Sequence, residues 1–270
     1  MQLNQKKYNQ LADHIAAAFH KKYYNQESGQ YLGGTQTANL LPLVFGITPD
    51  DQVGRVFENI VKDVKEKGNH PSTGFLGTAY LLPVLSRYGE HELAYQLASQ
   101  KEYPSWGYMV EKEATTIWEL WDSDTQGPGM NSRNHFALGS VGEWFYAWLA
   151  GIQPSSEGAG FKKIIIAPKP AADLTWAEAK LQSLYGEIYS SWKKSENKIS
   201  LQVKIPANTS ARIHVPHFGQ QWPLIEESGN ILIKAGQETK PLADIRLVEI
   251  TDQATIFEVG AGDYHFNATL

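Results

Sequence analysis

The chain has 270 residues, 42% hydrophobic and 20% charged, enough for two domains with real cores. Its formal net charge of −5 lacks the Lys and Arg surplus of a nucleic-acid groove, and the absence of cysteine excludes disulfides and thiolate metal sites. The opening MQLNQKKYNQ has no apolar leader core and no apolar run reaches the roughly 18 residues of a membrane span, so a cytoplasmic protein without a membrane partner is expected.

Up to about residue 152 the apolar residues recur at helical spacing. Leu11, Ile15, Ala18 and Phe19 mark a first helix. From Asp50 to Lys67, the residues Val53, Val56, Phe57, Ile60, Val61 and Val64 lie on one helical face, which Gly68 ends. Tyr80 to Tyr88, Leu93 to Leu97 and Leu138 to Leu149 repeat the pattern. The links SGQYLGG, KGNHPSTGFLG and YGEH are short and glycine-rich, as between antiparallel neighbours. Six or seven paired helices are predicted for residues 1–152.

After GIQPSSEGAG the period becomes two. KISLQVKIP puts Ile199, Leu201, Val203 and Ile205 on one face, and SARIHVP does the same with Ala211, Ile213 and Val215. Further runs at IIIAP, GEIYSSWKK, NILIK, IRLVEI and TIFEVG are separated by turn residues. An antiparallel β-sandwich is predicted for residues 153–270, with the boundary in the Pro, Ser and Gly cluster from Gln153 to Gly160.

Chemistry-bearing residues are few. There is no phosphate loop, HExxH motif or GxSxG elbow, and no metal site or cofactor is expected. The stretch ATTIWELWDSD places Glu119 between Trp118 and Trp121, with Asp122 and Asp124 behind as a polar turn. A carboxylate between large rings is costly unless it is paired or used; the bland alternative is a surface or helix-end acid. In MNSRNHFALG, Ser132 and Asn134 read as caps of the following helix, which makes His135 either a satisfied helix-start residue or a ligand contact. Trp106 in PSWGYM is either core or part of a site.

Taken together, GTQTANLLPLVFGI, STGFLGTAYLLPVL, YPSWGYMV, ATTIWELWDSD, MNSRNHFALGSVGEWFYAWLAGI and IPANTSARIHVP resemble the bacterial alpha-L-rhamnosidases of glycoside hydrolase family 78, in that family's order from about Tyr31 to Pro216. The resemblance implies the C-terminal half of an (α/α)₆ barrel followed by a small β-sandwich. It also implies hydrolysis of a terminal alpha-L-rhamnoside with inversion. Glu119 matches the general base that activates water, and His135 matches a histidine that contacts the sugar hydroxyls. Trp118, Trp121 and Trp106 fall in matching motifs as substrate-binding candidates. An inverting pair of carboxyls stands roughly 6.5–9.5 Å apart.

The family's general acid lies on a DxxxE-type segment in the first half of the barrel, before the region matched here. This chain begins about one helix before QTANLLP, so the acid is expected to be missing, and Glu111, Glu113, Asp122 and Asp124 are too close in sequence to Glu119 to replace it. Glu113 also departs from the family, which has glycine before ATT; a glycine suits an unusual backbone angle, and glutamate there is expected to displace the loop. An upstream polypeptide or self-association is expected to complete the barrel. Two alternatives are a non-catalytic carbohydrate-binding remnant and an (α/α)₆ hydrolase or lyase acting on another sugar.

Overall fold

A computed structural model describes residues 2–129, 132–220, 223–239 and 242–269. The chain divides into two compact units, Met1–Val141 and Gly142–Leu270, a division that falls ahead of the Gln153 to Gly160 cluster. A helical bundle is followed by a β-sheet domain. Among the described residues, no helix is long and apolar enough to cross a membrane.

The first unit begins with helix α1, Gln2–Tyr23, and a two-stranded ribbon of β1, Tyr24–Asn25, and β2, Gln30–Tyr31. There follow α2, Gln36–Val44; α3, Asp50–Glu66; α4, Phe75–Arg87; α5, His91–Ser99; and α6, Trp106–Glu111. The predicted face of α3 holds, with Val56, Ile60, Val61 and Val64 buried, and Gly68 follows the helix at φ +70°. Helix α2 packs on α3 and α4, α4 on α5, and α5 on α6. Only the C-terminal end of α1 is embedded: Phe19 and His20 meet Tyr24 and Tyr31, whereas Tyr8, Leu11 and Ile15 are exposed.

Glycine sets the approach of α2 to α4. A Cβ on Gly77 would stand 2.2 Å from Thr37 Oγ1. Buried Gln36 then ties the start of α2 to the loop that leads into α4, accepting from the Ser72 amide at 2.8 Å and donating to the His70 carbonyl at 3.4 Å.

The predicted helix from Leu138 to Leu149 is interrupted. It consists of α7, Phe136–Gly139; α8, Val141–Trp144; and a π turn, Phe145–Leu149. Ser140 Oγ donates to the Ala137 carbonyl at 2.7 Å, a back-bond that bends helices. In the π turn the Ala150 amide reaches the Phe145 carbonyl, five residues back.

The second unit holds two sheets. Their strands are β3, Ile152–Pro154; β4, Lys163–Ile166; β5, Trp176–Ser183; β6, Gly186–Ser195; β7, Lys198–Ile205; β8, Ser210–Pro216; β9, Leu224–Glu227; β10, Asn230–Lys234; β11, Gln237–Glu238; β12, Ile245–Ile250; β13, Ala254–Val259; and β14, Gly262–Thr269. The seven-stranded sheet runs β11-β10-β9-β14-β7-β6-β5 and the five-stranded sheet β12-β13-β8-β4-β3. All pairs are antiparallel except β4 with β8, which is parallel. The predicted inward residues of β7 and β8 are buried and share one core with Ile188, Trp192, Phe257 and Phe266.

Candidate active site

The segment carrying Glu119 is not helical. Helix α6 stops at Glu111, and the chain crosses residues 112–126 in turns and bends. The stop is a Schellman closure: the Glu113 amide donates to the Val110 carbonyl and the Ala114 amide to the Met109 carbonyl, both at 2.9 Å. Glu113 takes the left-handed position at φ +59°. The unusual backbone angle anticipated for a glycine is therefore kept by a glutamate, at the strain cost a Cβ brings there.

Beyond the closure, two stretches lie against each other. The His135 amide donates to the Ile117 carbonyl at 2.9 Å and the Glu119 amide to the Ser132 carbonyl at 3.1 Å. Thr116 Oγ1 adds a short bond to the Arg133 carbonyl, and Arg133 Nη2 reaches the Ser123 carbonyl at 3.3 Å. This pairing brings Glu119 and His135 onto neighbouring strands of one loop structure. Met130 and Asn131, the first two residues of the MNSRNHFALG motif, lie outside the described residues.

The tryptophans form the wall behind the loop. Trp118 is buried with Met109 and Leu138, and Trp121 packs on that cluster. Trp106 is buried as well; its Nε1 donates to the Leu138 carbonyl at 2.8 Å, and its ring meets Trp121 edge-on at 5.0 Å. Close packing of α6 fixes this ring, since a Cβ on Gly107 would stand 2.2 Å from the Gln100 carbonyl oxygen. Glu119 is half-buried.

The helix cap differs from the expected one. His135 itself caps α7, its Nδ1 accepting the Ala137 amide at 3.2 Å, while Ser132 Oγ bonds the Asn134 amide and carbonyl at 3.1 Å. The imidazole lies against two rings that sequence reasoning did not single out, Phe75 at 4.6 Å and Phe136 at 5.1 Å, both near parallel. Phe75 sits in the STGFLG motif, but an aromatic at a helix start carries no period that marks it as a site residue.

The two aspartates of the segment have partners. Asp124 Oδ2 accepts the Tyr108 hydroxyl at 2.8 Å and lies 3.8 Å from Lys112 Nζ; Gln126 donates to Asp122 at 2.6 Å. The bond to Asp124, more than partial burial, raises the Tyr108 phenol above its ordinary value. Lys101, bonded at 2.8 Å, holds the Glu111 carboxyl below the usual range. Among the described residues, no group of three or more His, Asp or Glu side chains is arranged to hold a metal ion. A hollow of about 370 Å³ on α3, lined by Phe57, Val61 and Lys65, contains none of the candidate residues.

Residues 2–149 match the bacterial alpha-L-rhamnosidase six-hairpin glycosidase domain, and residues 151–223 match the bacterial alpha-L-rhamnosidase C-terminal domain. An alpha-L-rhamnosidase of Streptomyces avermitilis is 36% identical over 264 residues, covering 96% of this chain and 24% of that protein. One from Formosa agariphila is 40% identical over 214 residues, covering 77% of this chain and 23% of that protein. The alpha-L-rhamnosidase structure from Dictyoglumus thermophilum superposes with a TM-score of 0.87 at 36% identity, covering 98% of this chain and 29% of that one. The Streptomyces avermitilis enzyme complexed with L-rhamnose gives 0.85 at 35% identity, covering 97% and 24%. The chain thus spans about a quarter of the length of these curated relatives, and over that span it belongs to the bacterial alpha-L-rhamnosidase family, matching its six-hairpin glycosidase domain and its C-terminal domain.

Proposed function

We propose that this chain contributes the general-base side of a site that hydrolyses terminal alpha-L-rhamnosides with inversion. The observation that supports the reading is the pairing of residues 117–119 with 132–135, which holds together the two segments that carry Glu119 and His135. Glu119 removes a proton from water as that water attacks the anomeric carbon of rhamnose. The aglycone oxygen leaves with the pair of electrons of the broken C–O bond and takes a proton from a general acid. His135 donates a hydrogen bond to a ring hydroxyl, and Trp106, Trp118 and Trp121 form the apolar wall that excludes bulk water behind Glu119.

The acid is carried by a polypeptide segment other than residues 1–270. Asp124 and Asp122 are engaged with Tyr108, Lys112 and Gln126, and both belong to the same short segment as the base. An inverting pair needs its second carboxyl across the sugar, roughly 6.5–9.5 Å away. The test is release of p-nitrophenol from an aryl rhamnoside, with this chain alone and with an added polypeptide carrying the DxxxE-type segment. Activity is expected only in the combination. Ordinary turnover by the chain alone would place the acid within these residues, and L-rhamnose uptake without hydrolysis in either case would mark a carbohydrate-binding role.

A further inference from the structure

The Nδ1 of His135 accepts the Ala137 amide. An accepting nitrogen carries no proton, so the neutral ring holds its hydrogen on Nε2. No hydrogen-bond partner for Nε2 occurs among the described residues, which leaves that N–H available to a ligand oxygen. A single cap bond 3.2 Å long fixes one point of the ring but not its plane.

The plane is set by stacking. Phe136 is adjacent in the chain and is 87% exposed. Phe75 comes from a different helix. As the first residue of α4, it stands on a loop held to α2 by Gln36, and its ring lies 4.6 Å from the imidazole at 21°. It is 43% exposed, so core packing does not account for its placement.

We propose that Phe75 is a positioning residue for His135. By holding the imidazole plane against α4 it keeps Nδ1 on the cap and directs the Nε2 hydrogen toward a hydroxyl of a bound pyranose. This rests on the reading of His135 as the sugar-contacting group, and it adds a residue from the STGFLG motif to the site.

The test compares the full chain with Phe75→Ala and Phe75→Tyr by side-chain ¹⁵N spectra, with the His135 signals assigned by their loss in His135→Asn. L-rhamnose titrations and thermal melts accompany the spectra. At a pH where the ring is neutral, the wild type shows one Nε2–H tautomer and Phe75→Ala shows averaged nitrogens. Rhamnose binding weakens about 2- to 12-fold, the equivalent of one aromatic pair, and Phe75→Tyr restores both readouts while the melting temperature stays nearly constant. An unchanged imidazole spectrum in Phe75→Ala overturns the proposal, as does a lowered melting temperature that Phe75→Tyr does not recover. If the wild-type chain alone takes up no L-rhamnose, the imidazole spectra alone decide the role of Phe75, while the aryl-rhamnoside assay of the combination decides the proposed function separately.

Discussion

Glu119 and His135 are joined through the backbone: the Glu119 amide holds the Ser132 carbonyl at 3.1 Å, and the His135 amide holds the Ile117 carbonyl at 2.9 Å. Two hydrogen bonds thus hold the two backbone segments together, independently of the side-chain rotamers. Replacing either side chain leaves this pairing intact, so each can be tested for chemistry without dismantling the loop. For Glu119→Gln in an enzyme supplied with its acid, turnover is expected to fall by at least the roughly 10²–10⁴-fold typical of general-base loss. Rhamnose affinity should stay within about twofold. Steady-state rates on an aryl rhamnoside decide it, and near-wild-type turnover removes Glu119 from the role of base.

His135 serves two partners through two nitrogens, and substitutions separate them. His135→Ala loses both the cap of α7, worth about 0.5–2 kcal/mol of stability, and the Nε2 donor. His135→Asn keeps a good N-cap acceptor while removing that donor. It should therefore melt near the wild type yet bind L-rhamnose about 1–3 kcal/mol more weakly. Thermal melts and titrations on the pair of variants are sufficient, and full affinity in His135→Asn would leave His135 with its capping role alone.

Glu113 holds the position that closes α6, at φ +59°, with Ala114 packed against the Met109 and Trp118 cluster. A left-handed residue with a Cβ costs roughly 1–2 kcal/mol, of which a glycine returns part as chain entropy on folding. Glu113→Gly should raise stability by about 0.5–1 kcal/mol, a shift of a few degrees in melting temperature. A lower melting temperature would show that the Glu113 side chain contributes more than its backbone strain costs.

The long-period parts of the fold were legible because their apolar residues repeat: α3 and the strands β7 and β8 stand where the pattern puts them. Strand β5 was not, since WAEAKLQS is rich in good helix formers and forms a sheet edge, where only small Ala177 and Ala179 with Leu181 mark the half-buried face. The left-handed backbone at residue 113 was legible through a departure, a glutamate where glycine is usual. The cap on α7 was assigned to Ser132 and Asn134 because those types cap most often; His135 does so through a ring nitrogen that propensity does not rank. Phe75 was hidden for a different reason: its meaning arises only when α4 meets α7.

Gly107 connects helix packing to the site. A methyl group there would meet the Gln100 carbonyl oxygen at 2.2 Å and Lys101 Cα at 3.1 Å, both backbone atoms that no rotamer change can move. Gly107→Ala should cost about 1–3 kcal/mol, although alanine is the better helix former by about 1 kcal/mol. The displaced α6 carries Trp106 away from the Leu138 carbonyl, so indole fluorescence should shift along with the melting curve. A variant as stable as the wild type, with unchanged fluorescence, would mean that α6 and the preceding loop yield freely.

The last expectation concerns acid stability of the β-sheet unit. His214 lies on β8 opposite Ile256 of β13. Burial, then the charges of Arg212 and Lys169, push its pKa below the ordinary value of 6.5. Burial likewise lowers that of His217. In the unfolded chain these rings protonate near pH 6.5, whereas in the folded unit they remain neutral to lower pH. The unfolded state thus binds more protons between the two values, and stability is complete above about pH 6.5 and declines as the pH falls through that window. One such ring contributes a slope of at most about 1.4 kcal/mol per pH unit. His214→Gln, which cannot titrate, should flatten the decline in denaturant midpoints between about pH 7 and 5, and adding His217→Gln should flatten it further. Carboxylates that lose their partners in acid act mainly at lower pH, so they do not imitate this effect. An acid decline of equal steepness in the double variant would show that neither histidine is the group being protonated as the unit unfolds.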